Sequence, residues 1–217
     1  MSRSVNPNPS QLSCEVRILE DDPQVLDYLR RVVEGWNYPC RPFSDPLLFL
    51  TADPPTSPAC VIIDWQLPGH DGLVVLEKAR QQWPQTAAIL VSGHVTVPVT
   101  VEAMRRGAVS VLAKPIRPDE LKRELTLALK WSQTKGALAQ AQADARQKLA
   151  TLSPLELSVL KLLVEGTPNK NIATQTGLAI RTVEKYRRSV FDKLGVDSAA
   201  EATRVWVLAT LEEPAAP

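Results

Sequence analysis

Short apolar runs alternate with helical apolar stripes along the first part of the chain. The clearest run, Val61-Ile62-Ile63, leads directly into Asp64 and then into turn-forming Pro-Gly and Asp-Gly pairs. A β-branched run of this length, bounded by turn residues, predicts a strand buried on both faces. The whole alternation predicts five strands, near 15–19, 38–43, 60–64, 87–91 and 109–113, and five helices, at 23–34, 45–51, 72–82, 98–106 and from 118.

Strand–helix units of this length predict an α/β fold, a flavodoxin-like doubly wound five-stranded parallel sheet of order 2-1-3-4-5. Glu20 and Asp21 follow the first strand and Asp64 ends the third, so we expect three carboxylates at one sheet edge. Such carboxylates repel one another unless a cation lies among them, and oxygen ligands favour a hard ion such as Mg²⁺. A merely solvated acidic edge is the alternative. Ser92 and Lys114, which end strands four and five, disfavour it, because carboxylate, hydroxyl and lysine together suit formation of an aspartyl phosphate.

The pattern changes after residue 131, where no further strand is predicted. Ser153 and Glu156 form a capping box at the start of a helix that ends at Gly166. Three more helices are predicted at 169–176, 180–194 and 198–211, with breaks at Gly177 and Gly195. Two short helices around a glycine-containing turn form a helix-turn-helix, so an all-α four-helix unit is expected here.

Charge favours nucleic-acid binding by this second part. Between Gly166 and Gly195, six basic residues stand against Glu184 and Asp192, a local balance of +4. In the predicted 180–194 helix, the apolar residues occupy one face, as a helix that enters the major groove requires. A solvated basic face on a packing helix is the alternative. The residues that project from the opposite face are Arg181, Glu184, Lys185 and Arg188.

Residues 131–150, rich in Ala and Gln, predict a long helix with a bend at Gly136 as one option. We interpret it as a semi-rigid spacer, with a dimerising helix as the alternative because Leu138, Ala145, Leu149 and Leu152 fall near heptad spacing. Residues 1–13 are polar and proline-rich, and predict a mobile tail. The predicted domains are therefore 14–130, the spacer 131–150, and 151–217.

Composition narrows the class of protein. The 217 residues carry a net charge of +1 and three unclustered cysteines without a CxxC pair, which argues against a disulfide framework or a zinc site. No apolar run approaches the ~20 residues of a membrane span, and no signal peptide is evident. We therefore expect a cytoplasmic protein without membrane association.

The first ~130 residues resemble a two-component response-regulator receiver domain. The resemblance rests on an acidic pair after strand one, the motif D-x-x-x-P-x-x-D-G from Asp64, serine after strand four and Lys-Pro after strand five. It implies Asp64 as phosphoacceptor, with Ser92 and Lys114 on the phosphoryl group and a cis bond before Pro115. It also implies Mg²⁺ held by Glu20, Asp21, Asp64 and the backbone carbonyl of Gln66.

Three positions depart from the receiver pattern. Glu20 stands where Asp is more common, and His94 follows the Ser92-Gly93 pair, with an exposed loop residue as the alternative to a role. Val111 stands where the family usually has a Tyr or Phe that turns inward on phosphorylation. Because valine cannot swing as a ring does, we expect phosphate capture without that read-out.

Residues 150–212 resemble the LuxR-type (FixJ/NarL) DNA-binding domain, through Asn169-Lys170, Thr182-Val183 and Lys193-Leu194-Gly195-Val196. Ala179 replaces the usual serine N-cap of the recognition helix, which should cost about 1 kcal/mol. Arg181 opposes the helix dipole unless a phosphate lies there. The resemblance implies a dimer contact through the last helix (Val205, Leu208, Leu211), base contacts from Glu184, Lys185 and Arg188, and phosphate contacts from Asn169, Lys170, Thr182 and Arg187.

The sequence thus predicts a response regulator of the FixJ/NarL type. A sensor histidine kinase would phosphorylate Asp64, and the active homodimer would bind double-stranded DNA. The chain would catalyse only its own phosphoryl transfer and so would not be an enzyme in the usual sense. Two alternatives remain: a DNA-binding regulator that works without phosphorylation, and a phosphoryl sink or partner-binding module.

Overall fold

The computed structural model describes residues 14–56 and 58–211, so the predicted tail at residues 1–13 lies outside the described residues. The boundary between two compact units falls between Ala137 and Leu138. We call them the sheet unit (14–137) and the helical unit (138–211). The strands are β1 (Glu15–Leu19), β2 (Cys40–Phe43), β3 (Ala59–Asp64), β4 (Gln66–Leu67), β5 (His70–Asp71), β6 (Ala87–Ser92) and β7 (Ser110–Ala113). The helices are α1 (Pro23–Glu34), α2 (Pro46–Leu50), α3 (Gly72–Gln82), α4 (Val97–Arg105), α5 (Pro118–Ala150), α6 (Pro154–Val164), α7 (Asn169–Thr176), α8 (Ile180–Leu194) and α9 (Ala199–Thr210).

The main sheet has the order β2-β1-β3-β6-β7 with every pair parallel, which confirms the predicted doubly wound α/β fold. One face is covered by α1 and α5, through residues such as Leu29 and Leu125. The other face is covered by α2, α3 and α4, through Phe49, Leu76 and Ala103. The central position of β1 and β3 brings their carboxyl ends side by side.

Strand β3 is buried along its whole length because both faces of the sheet are covered. Ile62 packs into the α1/α5 core, whereas Val61 and Ile63 pack into the opposite core.

The residues directly after β3 form a hairpin that the sequence did not reveal. Strands β4 and β5 form a small antiparallel hairpin, turned at Gly69 with φ of 72°. Two-residue strands are too short for hydrophobic periodicity to identify.

Strand β1 contains a buried charge, Arg17, that the apolar pattern did not predict. Its side chain is 2% exposed, and its Nε donates to Glu15 Oε1 at 2.6 Å. The guanidinium lies 5.1 Å from the Trp83 ring centroid. Nη1 has no hydrogen-bond partner within the described residues. Pairing with Glu15 and stacking on Trp83 offset the cost of removing this cation from water.

Helix α5 continues through Gly136 without a break, although the sequence allowed a bend at this residue. In the sheet unit, Ser132 Oγ accepts from Ala59 N at 2.9 Å and donates to Gln85 O at 2.6 Å. In the helical unit, Ala145 and Leu149 pack into the hydrophobic core. Residues of the predicted spacer therefore contribute to the packing of each unit, and Ala145, at 3% exposure, is not free to dimerise.

The helical unit consists of the last part of α5 and the four predicted helices. Gly177 and Gly195 end α7 and α8 with φ of 71° and 66°, a left-handed conformation that favours glycine. Ser153 and Glu156 form the predicted capping box at the start of α6. Among the described helices, none is both long and apolar enough to cross a membrane.

Candidate functional site

Three carboxylates meet at the carboxyl edge of β1 and β3, as the sequence predicted. Glu20, Asp21 and Asp64 each place one carboxylate oxygen within 4.8 Å of the others. Glu20 and Asp64 are buried, at 1% and 5% exposure, whereas Asp21 is exposed. Oxygen donors this close suit a hard divalent cation, which would offset their mutual repulsion.

Lys114, at the end of β7, reaches across this edge. Its Nζ donates to Glu20 Oε2 at 2.7 Å and to Asp64 Oδ2 at 2.8 Å. Burial alone would lower the pKa of Lys114, but hydrogen bonds to Asp64 and Glu20 outweigh it and raise that pKa. Burial, joined by the negative charge of Asp64, raises the pKa of Glu20 to about 7 despite Lys114. The lysine ammonium therefore only partly compensates the acidic cluster.

The backbone around Asp64 is fixed by the neighbouring strand and by the hairpin. Trp65 N donates to Val91 O at 2.8 Å, and Gly72 N donates to Trp65 O at 2.9 Å. Gln66 N lies 3.4 Å from Asp64 Oδ1. A Cβ on Gly72 would lie 2.3 Å from Asp64 O and 2.6 Å from Trp65 Cα. Only glycine allows the hairpin to close this tightly on the Asp64 backbone.

Ser92 and Lys114 lie on adjacent strands of the same edge. Ser92 is 2% exposed, and its Oγ accepts from His94 N at 3.0 Å. Lys114 N donates to Ser92 O at 2.8 Å, and the Lys114–Pro115 bond is cis, as predicted. Val111 is half-buried and packs against the α2–α4 core. The sheet thus brings carboxylate, hydroxyl and ammonium together at one edge.

An open cavity of about 590 Å³ gives access to this edge. Asp21 lines one side, and the β4–β5 hairpin with Trp65 and Gln66 lines the other. Trp65, directly after Asp64 in the chain, is therefore placed to report on events at the carboxylates.

The helical unit presents a basic face on α8. Val183, Val190 and Leu194 are buried on one side of this helix. The residues exposed on the other side are Arg181, Glu184, Lys185 and Arg188, with Lys170 exposed on α7 and Thr182 half-buried. Helix α8 therefore presents a largely basic exposed face opposite its buried apolar face.

Two residues that the resemblance assigns to phosphate contacts are hydrogen-bonded to each other. Arg187 Nη1 donates to Asn169 Oδ1, which ties α8 to the first turn of α7. The Arg187 guanidinium also lies 6.0 Å from the Phe191 ring centroid. In this structure the pair holds the two helices of the helix-turn-helix together.

Glu156 has a second role that the sequence did not reveal. Its Oε1 accepts from Ser189 Oγ at 2.7 Å, and its Oε2 accepts from Lys193 Nζ at 2.7 Å. Ser153 N also donates to Oε2 at 2.7 Å. Hydrogen bonds from Lys193, and then from Ser189 and Ser153, lower the pKa of Glu156 to about 2. One buried carboxylate thus joins the start of α6 to α8. No local sequence rule identifies the pairing of Glu156 with Lys193, which lies 37 positions later.

Helix α9 carries the residues that the resemblance assigns to a dimer contact, and they differ in exposure. Val205 is 8% exposed and, with the half-buried Leu208, belongs to the core of the helical unit. Leu211 and Val207 remain exposed, at 45% and 46%. Of the three predicted residues, Leu211 is therefore the most exposed.

Comparison with known proteins agrees with this geometry. The family model described as "Response regulator receiver domain" matches residues 16–126, and "Bacterial regulatory proteins, luxR family" matches residues 150–206. The transcriptional regulatory protein FixJ of Bradyrhizobium diazoefficiens is 32% identical over 190 residues, 88% of this chain and 93% of that protein. The chain belongs to the FixJ-like response regulators.

FixJ of Azorhizobium caulinodans is also 32% identical, over 91% of this chain and 93% of that protein. Among solved structures, the response regulator StyR matches with a TM-score of 0.78 at 26% identity, over 89% of this chain and 98% of that one. Full-length FixJ from B. japonicum matches with a TM-score of 0.52 at 29% identity, over 90% and 96%. This FixJ-like protein is a response regulator transcription factor, not a member of a classical enzyme family. Receiver domains generally bind Mg²⁺ at an acidic pocket, and this receiver has the corresponding cluster.

Proposed function

We propose that Asp64 is the phosphoacceptor of this regulator and that a sensor histidine kinase supplies the phosphoryl group. The observation that supports this most is the buried Asp64 carboxylate, bonded to Lys114 and close to Glu20 and to Asp21, which lines the cavity. A carboxylate oxygen of Asp64 bonds to phosphorus while the bond from phosphorus to the donor breaks. The donor leaves with the electron pair of that bond.

The side chains around Asp64 have distinct parts in this transfer. The Lys114 ammonium moves from the Asp64 carboxylate to the phosphoryl oxygens, where it offsets the added negative charge. Ser92 Oγ already accepts from His94 N, so its own proton is available to a phosphoryl oxygen. Ser92 and Lys114 both lie at the sheet edge before the reaction, and the main change required is the shift of the Lys114 ammonium from Asp64 to the phosphoryl group.

The same edge fits Mg²⁺. Glu20, Asp21 and Asp64 would hold the ion, together with the backbone carbonyl of Gln66. When bound, the ion supplies positive charge that stabilises the transferring phosphoryl group. The donor set is oxygen only, which favours Mg²⁺ over softer metals.

The phosphorylated protein would act as a homodimer on a pseudo-palindromic DNA site in the cytoplasm. Helix α8 would enter the major groove with Glu184, Lys185 and Arg188 toward the base edges. Exposed Lys170 and Arg181, with the half-buried Thr182, would contact phosphates. Asn169 and Arg187 would contribute mainly by holding α7 against α8.

A second candidate function is supported by Val111. This half-buried valine has no ring that could turn inward, so a regulator that binds DNA without phosphorylation is the alternative. The two candidates differ in one measurable property: only the first gains DNA affinity when Asp64 is phosphorylated.

The first test is incubation of the full chain with Mg²⁺ and acetyl phosphate, followed by intact mass and Trp65 fluorescence. We expect the gain of one phosphoryl group in the wild type and in an Asp119→Asn control, whose carboxylate is exposed. We expect no gain in Asp64→Asn. Absence of both phosphorylation and a Mg²⁺ response would contradict the proposal and favour the phosphorylation-independent regulator.

DNA binding is tested separately by salt titration. Affinity that falls steeply with salt supports contacts between α8 and DNA. Absence of binding to any sequence at low salt, before and after phosphorylation, would instead favour a phosphoryl sink or partner-binding module.

A further inference from the structure

The DNA-facing half of α8 carries one carboxylate among several cations. Glu184 is exposed, with Arg181 three residues before it and Arg188 four residues after it. Both arginines are within reach at helical spacing. Nevertheless, the Glu184 carboxylate forms neither an ion pair nor a hydrogen bond within the described part of the chain. Its two oxygens are therefore free to accept hydrogen bonds from a ligand.

A free carboxylate is unfavourable in the groove of DNA unless it finds a donor. The phosphates make the groove negative, and loss of water from an unpaired carboxylate adds a further cost. Both costs are offset only when the carboxylate accepts from an exocyclic amino group. In the major groove these groups are cytosine N4 and adenine N6.

Cytosine fits this carboxylate better than adenine does. The adenine edge places the acceptor N7 beside N6, so an acceptor-only carboxylate meets a second lone pair there. The cytosine edge presents its N4 donor without an adjacent acceptor on the same base. The charge of Glu184 thus selects between the two amino-bearing bases.

We propose that Glu184 determines sequence specificity by selecting one cytosine in each half-site through its N4 amino group. The inference rests on the proposed entry of α8 into the major groove. The cations around Glu184 contribute affinity through phosphates and other base edges, whereas Glu184 contributes discrimination at a single base pair. It acts by excluding thymine, whose O4 acceptor repels a carboxylate.

The experiment is selection of sites from a random double-stranded DNA library by the full-length protein, with Mg²⁺ and acetyl phosphate present. Wild type, Glu184→Ala and Glu184→Gln are compared, with Glu165→Gln as a control because Glu165 is exposed outside α8. We expect Glu184→Ala to lose the cytosine preference at one position per half-site and to keep the others. Glu184→Gln should shift that position toward adenine, which the amide matches with one donor and one acceptor.

Competition binding gives the magnitude. Replacing the selected C·G pair with T·A should weaken wild-type binding roughly 5- to 150-fold, as for one good base contact. The same replacement should change binding by Glu184→Ala less than about twofold. The control should behave as wild type.

Two negative outcomes are distinguishable. If wild type and Glu184→Ala enrich the same base at every position, α8 binds DNA but Glu184 does not read it, and the inference is overturned alone. If wild type enriches no sequence, the proposed DNA-binding function fails and this inference fails with it. Melting curves of each variant establish that loss of preference is not loss of fold.

Discussion

Replacement of Glu156 by glutamine should destabilise the helical unit by about 1–3 kcal/mol. The substitution keeps the shape of the side chain and removes its charge. In the folded protein, Lys193, Ser189 and Ser153 hold the carboxylate and lower its pKa from 4.5 to about 2. That difference corresponds to ~3 kcal/mol of preference for the charged form. Glu156 is 4% exposed but its partner Lys193 is 39% exposed, so solvent screening and the cost of burying the carboxylate reduce this figure to about 1–3 kcal/mol.

The same carboxylate predicts how stability depends on pH. The pKa of Glu156 is lower in the folded chain than in the unfolded chain, so the unfolded chain binds a proton more readily. Its contribution is therefore complete above pH ~4.5 and is lost as pH falls toward about 2. The wild type should lose about 1–3 kcal/mol over this interval relative to Glu156→Gln, in which this group does not titrate.

The measurement must report on the helical unit alone. Trp206 packs in its core, whereas the other four tryptophans lie in the sheet unit. In the full chain labelled with 5-fluorotryptophan, the ¹⁹F signal of Trp206, assigned with Trp206→Phe, follows urea unfolding of this unit. Glu165→Gln is the matched control, because it neutralises an exposed glutamate directly after the other end of α6.

One result would refute this reasoning. If Glu156→Gln and Glu165→Gln shift the Trp206 unfolding midpoint equally, the buried carboxylate contributes nothing net. Its hydrogen bonds would then be offset by the cost of removing the charge from water. A flat dependence of wild-type stability between pH 5 and pH 3 would lead to the same conclusion.

Three further substitutions test other features of the structure. Ser132→Ala leaves the amide and carbonyl that Ser132 joins without partners, so urea unfolding of the sheet unit should show a loss of ~1–3 kcal/mol. Ala179→Ser restores an N-cap to α8, whose first turn has no side-chain cap, and should stabilise the helical unit by about 1 kcal/mol in the Trp206 assay. Gly72→Ala forces a Cβ onto the backbone of Asp64, so calorimetry should show a loss of at least ~1–3 kcal/mol and intact mass less phosphorylation. Gly93→Ala, with open space around the new Cβ, should change neither.

The sheet and its acidic edge were predictable because their causes are local. The β-branched run before Asp64 and the turn residues after it identify a buried strand and its end within a few positions. Parallel crossovers then leave few topologies, and the order found places Glu20 beside Asp64. The meeting of distant carboxylates followed from topology and needed no knowledge of packing.

Features that depend on contacts between distant segments could not be predicted in this way. The burial of Arg17 depends on Trp83, which lies 66 positions later and stacks on the guanidinium. The role of α5 in each unit depends on what covers Ser132 and Ala145, and Ala- and Gln-rich sequence predicts only that the segment is helical. The β4–β5 hairpin is below the length at which alternation can be recognised.

The basic face of α8 shows that counting basic residues does not identify the ones that are free to contact DNA. Of the six cations counted between Gly166 and Gly195, two have structural partners: Arg187 binds Asn169, and Lys193 binds Glu156. All faces of an isolated helix are equally accessible to solvent. Only tertiary packing decides which cations turn toward the rest of the protein. The local balance of +4 therefore predicted a basic surface correctly but did not identify which residues form it. Fewer than six cations are therefore left free to contact DNA. The carboxylate of Glu184 is free beside them, and general attraction to phosphates does not explain its presence. The cations with no described ion pair are Lys170, Arg181, Lys185 and Arg188.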